Sequence, residues 1–303
     1  MPNILDTIGN TPLIPLNNIA VPNKCRLSLK IEAANPTGSM KDRMALAMVE
    51  GAEKAGALKA HGTVIEYTGG STGVSLALVC AVKRHALKIV TADAFAPDKA
   101  AHMRALGADL TILKSDGGRQ TEKLVKDMIA RAEAIAAETG GYLTHQMRNH
   151  DQLAAYRQMA DEIWAQTSGA MDCLVQSVGT AASLRGLAAR LRERKPDIAI
   201  VAVEPAESAV LSGGPTGAHG IDGIGAGYVT PLWQDGIADT IEPVSTADAK
   251  AMAARLAREE GIFPGTSTGA NVVAALRVAA RMSAGAHIVT VMCDSGVKYL
   301  RDH

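Results

Sequence analysis

The pattern that most constrains the fold of this chain is a regular alternation of short apolar strands with helices. The predicted strands are Thr63 to Tyr67, Lys88 to Thr91, Asp109 to Leu113, Tyr142 to His145, Cys173 to Gln176, Ile198 to Val203 and Ile288 to Met292. Helical segments lie between them, and such alternation predicts parallel sheets covered by helices on both faces. We therefore expect an α/β protein with two such layers, divided near the polar loop Gln146 to Asn149.

Composition and charge narrow the class of partner. Apolar residues make up 47% of the chain but aromatic residues only 3%, so aliphatic side chains must build the core. The formal net charge is zero, which argues against nucleic acid or an anionic membrane surface as a partner. No apolar run is long enough to span a bilayer, and the first residues lack the pattern of a signal peptide. We therefore expect a cytoplasmic protein.

The four cysteines are Cys25, Cys80, Cys173 and Cys293. They are widely separated and show no C-x-x-C spacing, which disfavours a disulfide framework or a zinc site. Their spacing instead predicts buried, reduced thiols that behave as small apolar residues. No metal site is expected.

One lysine lies where its chemistry is unusual. Lys41 follows the turn Asn35 to Met40, in which Pro36 bars a helix and Gly38 permits backbone angles closed to other residues. A predicted helix begins at Met40 or Lys41. The positive end of the helix dipole disfavours a charged amine in this first turn, and a neutral amine is a nucleophile that can bond to a carbonyl carbon. Lys41 is therefore either a reactive amine or one surface lysine among many.

Three turns rich in glycine and hydroxyl groups each precede a predicted helix. They span Thr68 to Gly73, Ser177 to Ser183 and Gly265 to Gly269. Such a turn presents backbone N–H groups and hydroxyls to an anion, with the helix dipole behind them. In an open parallel sheet, ligands bind at this edge. The alternative is that the hydroxyls only cap the helices that follow.

These four segments, in this order, resemble the fold-type II pyridoxal-phosphate family, and specifically the cysteine synthases (O-acetylserine sulfhydrylases) and the related cystathionine beta-synthases. The resemblance covers nearly the whole chain and includes Ile8 to Leu13, Asn35 to Arg43, Glu204 to Gly214, Ile221 to Gly227 and Asp294 to Leu300. It implies two three-layer αβα domains with parallel sheets, as in the tryptophan synthase beta subunit. Residues 1–10 with 34–146 would form a smaller, mobile N-terminal domain. Residues 11–33 with 147–303 would form a larger C-terminal domain, with the active site in the cleft between the two.

The resemblance also implies a role for each motif residue. Lys41 would hold pyridoxal 5'-phosphate covalently and then remove the α-proton of the substrate. The cofactor phosphate would be bound by Gly179, Thr180, Ala181, Ala182 and Ser183, and the pyridine nitrogen by Ser267. The substrate carboxylate would be bound by Thr68, Gly69, Thr72 and Gln146, while Ser71 would face the ring oxygen of the cofactor.

The substrate turn departs from the family at two positions. The usual Thr-Ser-Gly-Asn-Thr-Gly is here Thr-Gly-Gly-Ser-Thr-Gly, so Gly69 replaces a serine and Ser71 replaces an asparagine. Ser71 is shorter and is expected to reach the ring oxygen only through water. The two changes either weaken the usual substrate site or make room for a different substrate or nucleophile. Because both positions lose side-chain volume, the sequence favours the second interpretation.

The resemblance implies β-replacement on an activated L-serine by a homodimer, with sulfide as the nucleophile and L-cysteine as the product. Three alternatives stay open. The nucleophile could be an amine, thiosulfate or sulfite, the donor could be O-phosphoserine, or water could intercept the reaction in a β-elimination and deamination. The intact Lys41 argues against a non-catalytic homologue.

Overall fold

The computed structural model describes residues 2–118 and 121–302. Its strands are β1 (Leu13–Pro15), β2 (Arg26–Ile31), β3 (Thr63–Tyr67), β4 (Ala86–Ala92), β5 (Asp109–Leu113), β6 (Tyr142–Leu143), β7 (Cys173–Ser177), β8 (Ala199–Pro205), β9 (Thr240–Val244) and β10 (His287–Met292). Its α-helices are α1 (Lys41–Lys54), α2 (Ser71–Lys83), α3 (Pro97–Ala105), α4 (Glu122–Thr139), α5 (Gln152–Gln166), α6 (Ala182–Arg194), α7 (Thr246–Arg255) and α8 (Thr266–Ala279).

The chain divides into two compact units. The first comprises Met1–Ile8 and Lys41–Gln152, and the second comprises Gly9–Met40 and Leu153–His303. Each unit contains one largely or wholly parallel sheet, so the α/β class with two parallel sheets is confirmed. The chain passes from the second unit to the first between Met40 and Lys41. The mobility of the smaller domain stays a prediction.

The first unit is built on a four-stranded sheet of order β5-β4-β3-β6, in which all pairs are parallel. One face of this sheet is covered by α4, which packs Leu124 and Met128 against Ile65 and Tyr67 of β3. Side chains alternate between the two faces of a strand. Glu66, which lies between those two core residues, therefore points to the opposite face.

The second unit is built on a six-stranded sheet of order β1-β2-β10-β7-β8-β9. Among the described strands of this sheet, the short edge strand β1 alone runs antiparallel to its neighbour. Helix α8 supplies small buried residues, such as Ala270 and Ala274, to a core that includes Leu29 of β2 and Val175 of β7. This packing places the first two turns of α8 near the carboxyl ends of the central strands. Thr268 Oγ1 in the first turn accepts a hydrogen bond from Cys293 N at 3.2 Å, and Asn271 Oδ1 in the second accepts one from Ser177 N at 2.7 Å.

The predicted fourth strand was too long. It was expected over Tyr142 to His145, but β6 ends at Leu143. His145 has a φ of 52°, in the left-handed region, and a strand cannot continue through such a residue. This turn redirects the chain so that Gln146, the next residue, points toward the start of α2, as its hydrogen bond to Thr72 indicates.

The four cysteines are free and buried, which confirms the prediction of buried thiols. Burial raises the pKa of Cys80 and of Cys173 to about 12. Among residues 2–118 and 121–302, no helix is long and apolar enough to cross a membrane.

Candidate active site

The turn before Lys41 is fixed by hydrogen bonds within the second unit. Asn35 Oδ1 accepts from Gly9 N at 2.9 Å. Farther along the turn, Met40 N donates to Cys293 O at 2.9 Å, and Gly38 O accepts from Ser295 N at 3.0 Å. Gly38 has a φ of 73°, so the turn needs a residue that tolerates the left-handed region. Lys41 then opens α1 with its side chain half-buried, as the sequence predicts.

The start of α1 lies beside the start of α2. Asp42, in the first turn of α1, is fully buried, and its Oδ1 accepts a hydrogen bond from Ser75 Oγ at 2.6 Å. Ser75 lies five positions into α2, which opens directly after the Thr68–Gly70 segment. Lys41 is therefore brought close to the predicted substrate turn within one compact unit.

The predicted substrate residues form a connected set. Thr72 donates its hydroxyl hydrogen to Gln146 Oε1 at 2.8 Å, and Gln146 Nε2 donates to Tyr67 O at 3.3 Å. Thr68 Oγ1 accepts from Gly70 N at 3.1 Å. No side chain caps α2 at Gly70, and the dipole of such a helix start favours an anion.

Glu66 holds the backbone of Gln146 in position through a hydrogen bond. The sequence did not lead us to expect this role. Glu66 Oε2 accepts from Gln146 N at 2.9 Å and from Thr144 Oγ1 at 2.6 Å, while its Oε1 accepts from Tyr67 N at 2.8 Å. Burial raises the pKa of the Glu66 carboxyl to about 7, against the lowering effect of these hydrogen bonds. A carboxylate in the middle of a buried apolar strand was the signal that could have revealed this role.

Gly69 does not open space in the substrate turn. A Cβ atom on Gly69 would overlap the ring of Phe95, which stands in the place of the missing side chain. The expectation that the loss of volume at Gly69 makes room for a different substrate is therefore wrong at this position. The replacement of serine by glycine is explained by a ring 26 residues farther along the chain.

The predicted phosphate turn lies between β7 and α6. A Cβ atom on Gly179 would lie 2.6 Å from Gly223 O, so only glycine fits there. The carbonyl of Thr180 accepts from Thr230 Oγ1 at 3.0 Å, which fixes the turn from outside. Ala181 has a φ of 71°, and Ala182, which opens α6, donates its backbone N–H to Thr180 Oγ1 at 3.3 Å.

Ser267 is the hydroxyl that the start of α8 leaves available. The neighbouring hydroxyls are occupied, because Thr266 Oγ1 accepts from Asp222 N at 3.0 Å and Thr268 Oγ1 accepts from Cys293 N at 3.2 Å. Within the described part of the chain, Ser267 makes no side-chain hydrogen bond, and it is 4% exposed. A buried hydroxyl without a partner is suited to a polar ligand atom.

The structure brings the predicted residues together in two sets. Lys41, Thr68, Gly69, Ser71, Thr72 and Gln146 lie in the first unit, whereas Gly179, Thr180, Ala181, Ala182, Ser183 and Ser267 lie in the second. The members of each set lie at the starts of helices that follow parallel strands, with three exceptions. Gln146 follows β6, Lys41 follows the Asn35–Met40 turn, and Ser267 opens α8, which follows the helix Leu256–Glu260. The location of the site in a cleft between two domains stays a prediction.

Comparison with known proteins decides the family. Residues 4–294 match the family of pyridoxal-phosphate dependent enzymes. A cysteine synthase of Staphylococcus aureus is 35% identical over 300 residues, which covers 98% of this chain and 95% of the relative. This chain belongs to the family of pyridoxal-phosphate dependent enzymes.

Two solved structures of this family have the same fold. O-acetyl serine sulfhydrylase isoform 3 from Entamoeba histolytica is 38% identical, with a TM-score of 0.92 over 99% of this chain and 90% of that chain. A hydrogen sulfide-producing enzyme from Fusobacterium nucleatum is 35% identical, with a TM-score of 0.92 over 99% of this chain and 98% of that chain. The fold-type II architecture expected from the motifs is therefore confirmed.

The residues of the second set fit pyridoxal phosphate. The start of α6, with only small side chains at Ala181 and Ala182, suits a phosphate group, because the backbone N–H groups and the dipole of a helix start favour an anion. Gly179 allows the close backbone approach that such a group needs. The Ser267 hydroxyl, which makes no side-chain hydrogen bond in the described part of the chain, suits a ring nitrogen.

A cavity of about 390 Å³ in the second unit contains none of these residues. It is lined by Arg157, Arg185 and Arg192. Arg157 pairs with Glu193 at 2.7 Å and Arg192 pairs with Asp239 at 2.7 Å, so most of the positive charge in the lining is already neutralised. The cavity therefore offers an anionic ligand little unpaired positive charge.

Proposed function

We propose that this chain catalyses β-replacement on an activated L-serine of the O-acetyl-L-serine type, with sulfide as the nucleophile and L-cysteine as the product. The observation that carries the proposal is the Asp42–Ser75 hydrogen bond of 2.6 Å. It joins the helix that opens at Lys41 to the helix that follows the Thr68–Gly70 segment. An amine and an anion-binding turn side by side are what proton removal next to a carboxylate requires.

The substrate carboxylate would be bound by N–H groups. The single hydroxyl hydrogen of Thr72 is already donated to Gln146, so Thr72 orients the amide and is not itself the main donor. The Gln146 amide nitrogen carries two hydrogens, of which one goes to Tyr67 O. Its second hydrogen, together with the helix start of α2, would bind the carboxylate.

Lys41 would have two tasks. Its Nζ atom would first hold the cofactor and, once released by the incoming amino group of the substrate, would accept the α-proton. When bound, pyridoxal phosphate draws electrons from the substrate α-carbon, which allows the β-substituent to leave and a nucleophile to add. A neutral Ser267 hydroxyl at the pyridine nitrogen would keep that electron withdrawal mild and disfavour transamination.

A second candidate reaction follows from one of the relatives. The protein from Fusobacterium nucleatum is described as hydrogen sulfide-producing, so a member of this family with the same fold releases sulfide. By analogy, this chain could remove the β-substituent and let water intercept the product, which gives deamination. Amines, thiosulfate and sulfite as nucleophiles, and O-phosphoserine as donor, are further variants of the same chemistry.

The experiment that tests the proposed function supplies O-acetyl-L-serine, O-phospho-L-serine or L-serine with sulfide, thiosulfate, sulfite or an amine, and detects the products by mass. We expect L-cysteine from O-acetyl-L-serine and sulfide. Lys41→Ala should abolish the product, whereas Lys54→Ala, at the exposed other end of α1, should retain it. Pyruvate and ammonia as the only products would favour the elimination reaction instead.

We also propose that the protein is a cytoplasmic homodimer, by analogy with the cysteine synthase family. Light scattering coupled to gel filtration should give twice the chain mass of 31.5 kDa. A monomer with full activity would contradict the dimer and leave the catalytic proposal intact.

A further inference from the structure

The Phe95 ring occupies the place of the side chain that residue 69 lacks. A Cβ atom on Gly69 would overlap the ring, so no other residue fits at position 69 while the ring stays in place. Gly69 does not have a positive φ, so its backbone does not itself demand glycine. The two residues are therefore matched to each other, and the match lies within the proposed substrate turn.

The ring is held in place by its surroundings. Phe95 packs against the core cluster of the first unit that contains Tyr67 and Val90. Its turn is anchored because Asp93 Oδ1 accepts hydrogen bonds from Ser115 N at 2.8 Å and from Ser115 Oγ at 2.5 Å. These bonds hold the pKa of the Asp93 carboxyl below its usual range.

The ring also remains half-buried, and the chain contains only two phenylalanines. The core is built mainly from aliphatic side chains. An aromatic ring packed against the proposed substrate turn is therefore unusual for this chain. It replaces a hydroxyl, which can bind an anion, by an apolar surface whose π face carries partial negative charge. The substrate carboxylate would be bound by N–H groups of Gln146 and α2, whereas the ring offers no hydrogen bond to a second anionic group beside it and favours an uncharged one.

We infer that Phe95 determines the donor specificity of this enzyme by selecting serine derivatives with an uncharged β-substituent, such as an acetyl ester, over those with an anionic one, such as a phosphate ester. The inference rests on the proposed function. The β-carbon of an amino acid is two bonds of about 1.5 Å from its carboxyl carbon, so the substituent lies within reach of a ring packed on the carboxylate turn.

The first part of the test concerns the packing itself. Gly69→Ser should lower the melting temperature of the holoenzyme, since the new side chain collides with the ring. Phe95→Ala should remove that effect, so that the double variant is more stable than the sum of the two single changes predicts. Additive changes in melting temperature would overturn the inference, because the ring would then not occupy the place of the side chain.

The second part concerns selection. The measured quantity is the ratio of kcat/KM for O-acetyl-L-serine to kcat/KM for O-phospho-L-serine. In Phe95→Ser this ratio should fall about tenfold, because an apolar ring contact is lost. In Phe95→Leu it should stay within about twofold. Dissociation constants for S-methyl-L-cysteine and S-sulfo-L-cysteine should show the same change without turnover. Phe95→Gln provides a second polar variant in case Phe95→Ser does not fold. Ile112→Ala, an exposed apolar side chain on β5, is the control.

The outcomes separate the two proposals. Unchanged ratios in both polar variants, with O-acetyl-L-serine still converted, would overturn the role of Phe95 and leave the proposed function standing. A wild-type protein that neither binds nor converts any serine derivative would overturn the proposed function, and the role of Phe95 with it.

Discussion

Thr72 and Gln146 are joined by a hydrogen bond of 2.8 Å, although they lie 74 residues apart in the chain. The bond connects the first turn of α2 to the loop after β6 and closes the proposed carboxylate site within a single unit. Both side chains are buried, so the pair has few alternative partners. The geometry makes the hydroxyl of Thr72 the group that orients the Gln146 amide.

Loss of that hydroxyl should weaken substrate binding. Thr72→Val keeps the shape of the side chain but leaves Gln146 Oε1 unpaired, at a cost of about 1–3 kcal/mol. We expect the dissociation constant for L-cysteine, measured from the absorbance of the bound cofactor, to rise about tenfold. Thr240→Val, at the exposed start of β9, should leave it unchanged. Equal binding by both variants would show that Thr72 does not support the carboxylate site.

The backbone at Ala181 predicts an unusual gain in stability. A non-glycine residue in the left-handed region costs about 1–2 kcal/mol, and Ala181 has a φ of 71°. Glycine at this position relieves the strain but gives the unfolded chain more conformational entropy, which offsets part of the gain. Ala181→Gly should therefore raise the free energy of unfolding by up to about 1 kcal/mol. The melting temperature should rise by about 2–4 °C.

Ala182→Gly is the matched control for that gain. Ala182 opens α6 and lies outside the set of residues with positive φ, so glycine there should lower stability by about 0.5–1 kcal/mol. Opposite signs for the two neighbouring variants are the expected result. A loss of stability in both would contradict the strain assigned to Ala181.

Glu66 predicts a pH dependence of stability. Its pKa is about 7 in the folded protein and 4.5 ordinarily, so the folded form binds more protons between these values. Stability therefore falls as the pH rises from about 4.5 to about 7, by roughly 3 kcal/mol from this group. Glu66→Gln removes the titration, and the difference in unfolding free energy between wild type and variant should depend on pH in this interval.

The control for the pH dependence is Glu133→Gln, on the exposed face of α4. Its unfolding free energy should follow that of the wild type at each pH, measured by urea denaturation. If the Glu66→Gln curve runs parallel to the wild-type curve from pH 4 to pH 8, the carboxyl of Glu66 is not perturbed by burial as described.

Much of the fold was predictable because parallel strands covered on both faces leave a strong apolar signal. Strands β3 and β5 have the predicted bounds. Strand β2 was not predicted, because it contains a charged residue, Lys30. This side chain is fully buried, and its Nζ atom lies 2.7 Å from Glu162 Oε2. Strand β9 contains Pro243, which is tolerated because β9 is an edge strand. Neither the ion pair of Lys30 nor the edge position of β9 can be predicted from the neighbouring residues in the sequence.

The site was predictable to the extent that it is made of local turns. The turns around Gly69, Gly179 and Ser267 each lie between a strand or loop and a helix start, as the sequence indicates. The reason for glycine at position 69 lay outside such reasoning, because Phe95 approaches from the loop after β4. Hydrogen bonds between distant residues, such as that of Thr72 with Gln146, depend on how the strands are arranged in the folded sheet, and local sequence does not predict them.

The most direct test of the central claim is the site at which the cofactor is attached. Reduction of the holoenzyme with borohydride, followed by peptide mapping by mass spectrometry, should locate one pyridoxyl group on the Nζ atom of Lys41, and Lys41→Ala should carry none while Lys54→Ala is labelled normally. A pyridoxyl group on another lysine, or no covalent label on a protein that still turns over substrate, would contradict the account.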